Sequence, residues 1–298
     1  MFYDLHLHSS YSDGENTPED ILKHATKTGV RGIAITDHNG ISPKIKQIKT
    51  SIAGLGIDFL EGIEISSQMS SKYDNLNLHI LGYSSDFDVK KINRSLHRTI
   101  VGYENRAKQI IKKCNRLGIP INYNELRKQS GELYISRNTI AKEILKYRKI
   151  TLREALEIAF VDGKENWFLS PFQVISLIKE SGGIPVLAHP GKLIPQLLEQ
   201  HSKSIFEQLV DCGLQGIEVF YPSHTQSETN RLLSLANEHN LLITGGTDYH
   251  GLSRPPYQDI GNVGVSHAEF NQLKEKLWGQ YKYPTISRLK PSTHHSSI

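Results

Sequence analysis

Cysteine is nearly absent from this chain: Cys114 and Cys212 are the two it has in 298 residues. Two thiols so far apart supply neither a disulfide framework nor a thiolate zinc site, which excludes the staples that organise many small domains. Also missing is any apolar run long enough to span a bilayer. The N-terminus enters a polar, histidine-rich stretch at once, where a secretory signal peptide would carry an apolar core. Internal repeats and low-complexity tracts are absent too. What remains is ordinary globular stock, 38% hydrophobic and 22% charged, enough for a sizeable core in one large domain or two small ones. The expectation is a cytoplasmic enzyme with no membrane association and no stable protein partner.

The net charge of +4 conceals an imbalance. Residues 89–165 hold 18 Lys and Arg against 8 Asp and Glu, and the rest of the chain holds 17 against 23. An acidic body suits bound cations, and a basic insert suits an anion. A helical face solvated by lysines explains the same excess.

Seven short apolar runs punctuate the sequence: FYDLHL, GIAIT, IDFLEGIEI, NLHIL, IPVLA, GIEVF and LLITGG. Stretches of helical periodicity lie between many of them. Thr17-Pro18 and Ser170-Pro171 each offer an N-cap followed by proline at the first helical position, and Gly182-Gly183 closes the second helix. Strands interleaved with helices predict an α/β barrel of parallel strands. Residues 89–165 break the rhythm with helix after helix, and Thr151 to Glu154 form a capping-box pattern there. The expected division is a barrel over 1–88 and 166–290, a basic helical insertion over 89–165, and a tail over 291–298.

The first run carries His6 and His8 at alternating positions, so a strand places both imidazoles on one face, where they can chelate one cation. Asp13 follows in the next loop. Further runs end in, or lead into, Asp37-His38, Glu64, His79, His189 and Asp248-Tyr249-His250. On this reading each lies at or just past the C-terminal end of a strand, the rim where β/α barrels assemble active sites. Singly, each has a plainer reading. His79 suits a half-buried strand position, Glu64 a strand-end charge, and Asp37 a helix cap or a partner behind a ligand. His24, His97, His201, His239 and His267 read as surface residues, and His294 and His295 as part of the tail.

Taken together, DLHLHSSYSDG, ITDHN, EGIEIS, HILGY, LAHPGK and TGGTDYHG resemble the PHP (polymerase and histidinol phosphatase) family from Phe2 to about Gly264. The resemblance implies a distorted (β/α)7 barrel with a helical insertion and two or three divalent metals at its rim. By that analogy His6, His8, Glu64 and Asp248 hold one ion, and Asp13, His38 and His250 a second. His79 and His189 hold a third, bridged to the first by Glu64. The mixed nitrogen and oxygen donors suit manganese, iron or zinc better than magnesium or calcium. The implied chemistry is attack on phosphorus by hydroxide generated at the ions, with Asp13 in the catalytic set.

Two further elements resemble the nucleotide branch of that family, which removes the 3′-phosphate of nucleoside 3′,5′-bisphosphates or trims 5′-phosphorylated RNA. Ser136-Arg137 offers a guanidinium for a phosphate, and Tyr221-Pro222-Ser223-His224 offers His224 as phosphate ligand and general acid. Arg137 as a helix N-terminal residue and His224 as an exposed loop histidine are the plainer readings. Lys192 and Arg254 are additional candidates for phosphate contact, and Tyr103, Tyr123, Tyr134 and Tyr147 for base stacking or packing. SRNTIAKEIL departs from the branch, which carries another ring or basic residue soon after the arginine, so the shape of the nucleotide pocket stays open. Histidinol-phosphate phosphatase is an alternative within the family. The amidohydrolases fit less well, because the last strand here gives Asp-x-His. Outside enzymes, the alternative is a nucleic-acid-binding module with a structural metal site.

Overall fold

In a computed structural model of the chain, each of the seven apolar runs forms one strand of a single sheet. The structure describes residues 2–52, 54–69, 76–162, 166–199, 203–253 and 258–282. The tail with His294 and His295, and also His201 and Arg254, lie outside the described residues. In chain order the elements are β1 (Tyr3–Leu7), α1 (Pro18–Thr28), β2 (Gly32–Ile35), α2 (Ile45–Ile52), β3 (Asp58–Gln68) and β4 (Asn77–Ser84). A helical stretch follows: α3 (Val89–Ser95), α4 (His97–Arg116), α5 (Tyr123–Ser130), α6 (Arg137–Leu145) and α7 (Leu152–Ile158). The chain then returns through α8 (Pro171–Glu180), β5 (Ile184–Leu187), α9 (Ile194–Leu198), α10 (Ile205–Cys212) and β6 (Gly216–Phe220). It finishes with α11 (Gln226–Glu238), β7 (Leu242–Gly245) and α12 (His267–Lys282).

The helix starts follow from local chemistry. Thr17 accepts the Asp20 amide ahead of Pro18, and Gly29, at φ 75°, ends α1. Ser170 with Gln173, and Thr151 with Glu154, form reciprocal capping boxes on α8 and α7. Apolar faces of the barrel helices pack against the strands, with Ile21, Ile33, Ile63, Ile178, Phe206 and Ile217 fully buried. Each such side chain contributes about 1.5–3 kcal/mol over leaving it exposed.

The strands run in sequential order around a nearly closed barrel. Its seam lies between β1 and β7, where Leu7 bridges Tyr249 beyond β7 and the His8 amide donates to the Tyr249 carbonyl at 2.8 Å. One expectation needs correcting: the strands are not all parallel. β4 runs antiparallel to both β3 and β5. Eight residues separate β3 from β4, whereas a parallel return needs a crossover of about a dozen residues or more. The reversal moves two predicted rim residues. His79 stands near the start of β4, opposite Ser66, and Glu64 stands inside β3, which runs on to Gln68. Because β4 points the other way, its beginning lies at the rim to which β3 ascends.

The reversal also sets where the helical stretch begins. β4 ends opposite Glu61, near the start of β3, so the chain leaves at the end of the barrel away from the rim. α4 then carries it back, and the Tyr103 hydroxyl donates to Ser66 Oγ at 3.4 Å. Helices α4 to α7 bury an apolar cluster of their own, including Ile110, Ile111, Leu126, Ile140 and Ile144. Tyr103 stacks on Tyr134 at 4.3 Å, which makes both packing residues.

Candidate metal centre

Alternation along β1 decides the first pair. Tyr3, Leu5 and Leu7 share one face, and Asp4, His6 and the following His8 share the other, all of them buried. His6 Nδ1 lies 2.9 Å from Glu218 Oε1, which turns Nε2 outward to within 3.3 Å of Glu64 and 3.4 Å of Asp248. His8 Nε2 lies 3.2 Å from the same Glu64 oxygen and 3.0 Å from the same Asp248 oxygen. Ligands held tetrahedrally at about 2.0–2.1 Å stand roughly 3.3–3.4 Å apart, close to these four histidine–carboxylate distances, and all four atoms lie within 4.8 Å of one another.

A second group adjoins it. His250 Nε2 is 3.1 Å and His38 Nε2 3.8 Å from Asp13 Oδ1, and His8 stacks on His250 at 4.1 Å between ring centres. A third gathers on Glu64, with His79 Nδ1 at 2.8 Å, His189 Nε2 at 3.0 Å and His38 Nδ1 at 3.1 Å. His8 and His38 thus each reach two groups, a sharing that the sequence pattern did not suggest.

Whether cations fit can be tested on polar satisfaction. His6 Nε2, His8 Nε2, His38 Nδ1 and Glu64 Oε2 are buried without a hydrogen-bond partner. Buried polar atoms are seldom left so, and here they converge. The charges agree. Burial pushes the carboxyls of Glu64, Asp13 and Asp248 up, yet the surrounding imidazoles hold all three well below their ordinary range. Ionised carboxylates among imidazole nitrogens are the donors that a divalent cation requires. The residues present fit the metals.

Behind the ligand atoms lies a second set of contacts. His250 Nδ1 faces the Asp248 carbonyl at 2.7 Å, so its Nε2 is the free donor. Asp37 points away from the cluster and accepts from the Ser9 amide, the Ser9 hydroxyl and the Ser12 hydroxyl at 2.6–2.8 Å. It fastens the loop that presents Asp13, the supporting reading among those open for it. Gly14 closes that loop, and a Cβ there would meet the His8 carbonyl at 2.2 Å. His189 and Asp248 adopt φ of 30° and 52°, a left-handed conformation that non-glycine residues keep mostly at functional sites.

The phosphate candidates are placed differently. Arg137 is the first residue of α6, and its guanidinium donates twice to the Leu156 carbonyl, at 2.6 and 3.2 Å, while covering the Phe160 ring. His224 joins the cluster's edge: Nδ1 faces the Val219 carbonyl at 2.9 Å, and Nε2 accepts the Gly191 amide at 3.1 Å. The ring lies so close that a Cβ at Gly191 would meet it at 2.4 Å. Lys192 is exposed beside that contact.

Three site residues were given no role by the sequence. Glu218 is fully buried and accepts from the His189 amide at 2.7 Å while facing His6. Tyr221 donates to Asp248 Oδ2 at 2.9 Å. Asn138, from α6, donates to Asp13 Oδ2 at 3.1 Å. For Glu218 a signal existed: a lone carboxylate inside the apolar run GIEVF.

Comparison with known proteins bears on the family and the reaction class. The profile of one family, the PHP domain, matches residues 4–158. A phosphoribosyl 1,2-cyclic phosphate 1,2-diphosphodiesterase from Eggerthella lenta is 30% identical over 84% of this chain and 95% of its own length. The 5′-3′ exoribonuclease Rnm of Salmonella typhimurium is 26% identical over 97% of this chain and 96% of its own. A 3′,5′-nucleoside bisphosphate phosphatase from Chromobacterium violaceum is 26% identical over 89% and 91%. A solved structure from Bifidobacterium adolescentis, assigned as a metal-dependent phosphoesterase, matches with a TM-score of 0.74 at 25% identity, covering 91% of this chain and 94% of that one.

Proposed function

This chain belongs to the PHP family and is a metal-dependent phosphoesterase, and from that membership we propose that it cleaves phosphate esters of nucleoside 3′,5′-bisphosphates and short 5′-phosphorylated RNA. The observation that carries the reading is the convergence of four donor atoms: His6 Nε2 and His8 Nε2 each lie 3.0–3.4 Å from the same Glu64 oxygen and the same Asp248 oxygen. The ligand sets are His6, His8, Glu64 and Asp248; Asp13, His38 and His250; and His79 with His189 and Glu64. Two or three divalent ions, for which the mixed donors suit manganese, iron or zinc, would activate water and draw charge from phosphorus when bound.

The chain's own groups do the rest. Glu218 orients His6, and Tyr221 orients Asp248, so each ligand presents one chosen atom. When substrate displaces the Gly191 amide, His224 takes up a proton from solvent at Nε2, donates it in a hydrogen bond to a phosphate oxygen, and then passes that proton to the leaving oxygen. Arg137 exchanges the Leu156 carbonyl for the substrate's second phosphate, a trade that favours the charged partner. Lys192 and Arg254 add cations at the edge. Chemistry then belongs to the barrel, 1–88 and 166–290, and recognition of the second phosphate by Arg137 to the insertion, 89–165. No helix among the described residues is long and apolar enough to cross a membrane. Both cysteines are free, which suits the reducing cytoplasm.

A second reading has support, since the Eggerthella lenta relative is named for a cyclic phosphodiester of ribose. Initial rates in manganese on adenosine 3′,5′-bisphosphate, 5′-phosphorylated RNA, phosphoribosyl 1,2-cyclic phosphate and histidinol phosphate separate these readings. The expected result is turnover of the nucleotides and loss of activity in Asp248→Asn. Turnover of the cyclic ester or histidinol phosphate alone would overturn the nucleotide reading.

A further inference from the structure

Away from the rim, α4 forms one wall of an open groove of about 660 Å³. This helix carries Arg98, Arg106, Lys108, Lys112, Lys113 and Arg116 against a single acidic residue, Glu104. Lys108, Lys112 and Arg116 recur every fourth position, so they share a face with about 6 Å of rise between neighbours. All three are exposed, and none forms an ion pair among the described residues. The charges around them are spoken for. Glu104 pairs with Arg127 at 3.0 Å and accepts from the Tyr123 hydroxyl, and Lys113 donates to the Phe160 carbonyl at 2.7 Å. Across the groove stand Ile121, Asn122 and Tyr123, and the Lys108 ammonium lies 5.0 Å from the Tyr123 ring centre.

We propose that this groove holds the downstream phosphates of a single-stranded RNA whose 5′ end lies at the rim. The proposal rests on the nucleotide phosphoesterase reading above and extends it from nucleotide to oligonucleotide. Three exposed cations in register, none in an ion pair among the described residues, match a polyanion of regular repeat, and the release of its counterions drives association. A base can stack on the half-buried Tyr123 ring without regard to sequence once Lys108 turns from that ring to a phosphate. α4 itself joins the two places, because Tyr103, in its first half, is anchored to Ser66 on the strand that carries Glu64. Tyr103 to Arg116 spans about 20 Å at 1.5 Å per residue. A helical strand advancing about 3.4 Å per nucleotide covers that distance in roughly six nucleotides. An acidic peptide would answer the charge but has no use for the stacking face.

The test is a triple variant, Lys108→Glu, Lys112→Glu and Arg116→Glu, compared with the unaltered protein in its manganese form. Binding is read by fluorescence anisotropy with a cleavage-resistant phosphorothioate RNA of about 12 nucleotides, long enough to fill the track. Loss of three phosphate contacts predicts affinity down by at least about tenfold and a salt slope shallower by about 2. In parallel, kcat/KM falls by a similar factor on the RNA of that length, while the value for adenosine 3′,5′-bisphosphate stays unchanged. Unaltered RNA binding overturns the proposal, as does an equal loss on the bisphosphate, which would mean general damage. Competition by polyglutamate at matched charge as strong as by RNA overturns it in favour of an acidic protein. Should the unaltered protein bind RNA without ever cleaving it, the substrate reading fails while anisotropy still decides the groove. A triple glutamine variant repeats the test if the glutamates disturb folding.

Discussion

Charge is handled in opposite ways at the barrel rim and along the helical insertion. At the rim His6, His8 and Glu64 are buried, and His6, Asp248 and His250 each have a further group behind them. On α4, Lys108, Lys112 and Arg116 are exposed and share one face, and none of the three forms an ion pair among the described residues. Chemistry needs the first arrangement, because a ligand atom displaced by about an ångström no longer meets its ion. Recognition of a flexible polyanion needs only the second, since screened surface charges act additively and tolerate small shifts. Single changes should therefore be severe at the rim and mild on the insertion.

The largest expected effect comes from Glu218→Gln. One amide oxygen cannot accept from the His189 amide and also face His6, and the amide nitrogen would oppose a donor. Loss of such a supporting partner lowers metal affinity by about 10–100-fold. Manganese titration by calorimetry, with unchanged circular dichroism, gives the check. Unchanged affinity would mean that His6 is held by packing alone.

A smaller effect is expected where the two regions touch. Asn138 reaches from α6 to Asp13, so Asn138→Ala should lower kcat/KM by up to about tenfold, the worth of one hydrogen bond to a charged group at about 1.5 kcal/mol. Lys112→Ala, a single exposed cation, should change kcat/KM on RNA by less than about threefold. Equal effects from the two would break the distinction between regions.

How much of this was legible in the sequence follows from the physics of each element. Apolar runs show in any strand, so seven strands could be counted, but hydrophobic alternation carries no direction and could not reveal that β4 is reversed. His6, His8, Glu64, Asp248 and their neighbours stood out because polar, metal-competent residues at the ends of apolar runs have few structural reasons to be there. That they meet depends on barrel closure at the β1–β7 seam, which no local pattern encodes. Glu218 and Asp4 lie within apolar runs and not at their ends, so position did not single them out. Asp4 in fact accepts from the Thr247 hydroxyl and the Gly261 amide, binding β1 to the segments beyond β7. The Arg137 contact with Leu156 was illegible, because the position of α7 relative to α6 is a tertiary fact.

The smallest prediction concerns a carboxyl in the insertion that breaks the pattern of exposed charge there. Glu132 accepts from the Thr139 hydroxyl and from the Ser136 amide, the latter at 2.9 Å. Burial pushes its pKa up from 4.5 to about 7, against the lowering effect of those bonds. Rim carboxylates are buried too, yet they stay ionised because imidazoles surround them, and Glu132 has no such company. Between about pH 4.5 and pH 7 the folded protein therefore keeps a proton that the unfolded chain has released. Its contribution to stability is complete below that window and is lost as the pH rises through it. Glu132→Gln, neutral throughout, should remove this slope. Melting temperatures of both proteins at about pH 5 and pH 8, in the same metal buffer, should differ in their pH dependence by about 2–4 °C for each kcal/mol involved. A variant that keeps the full slope would place the titrating group elsewhere, and the insertion would then carry no buried charge of consequence.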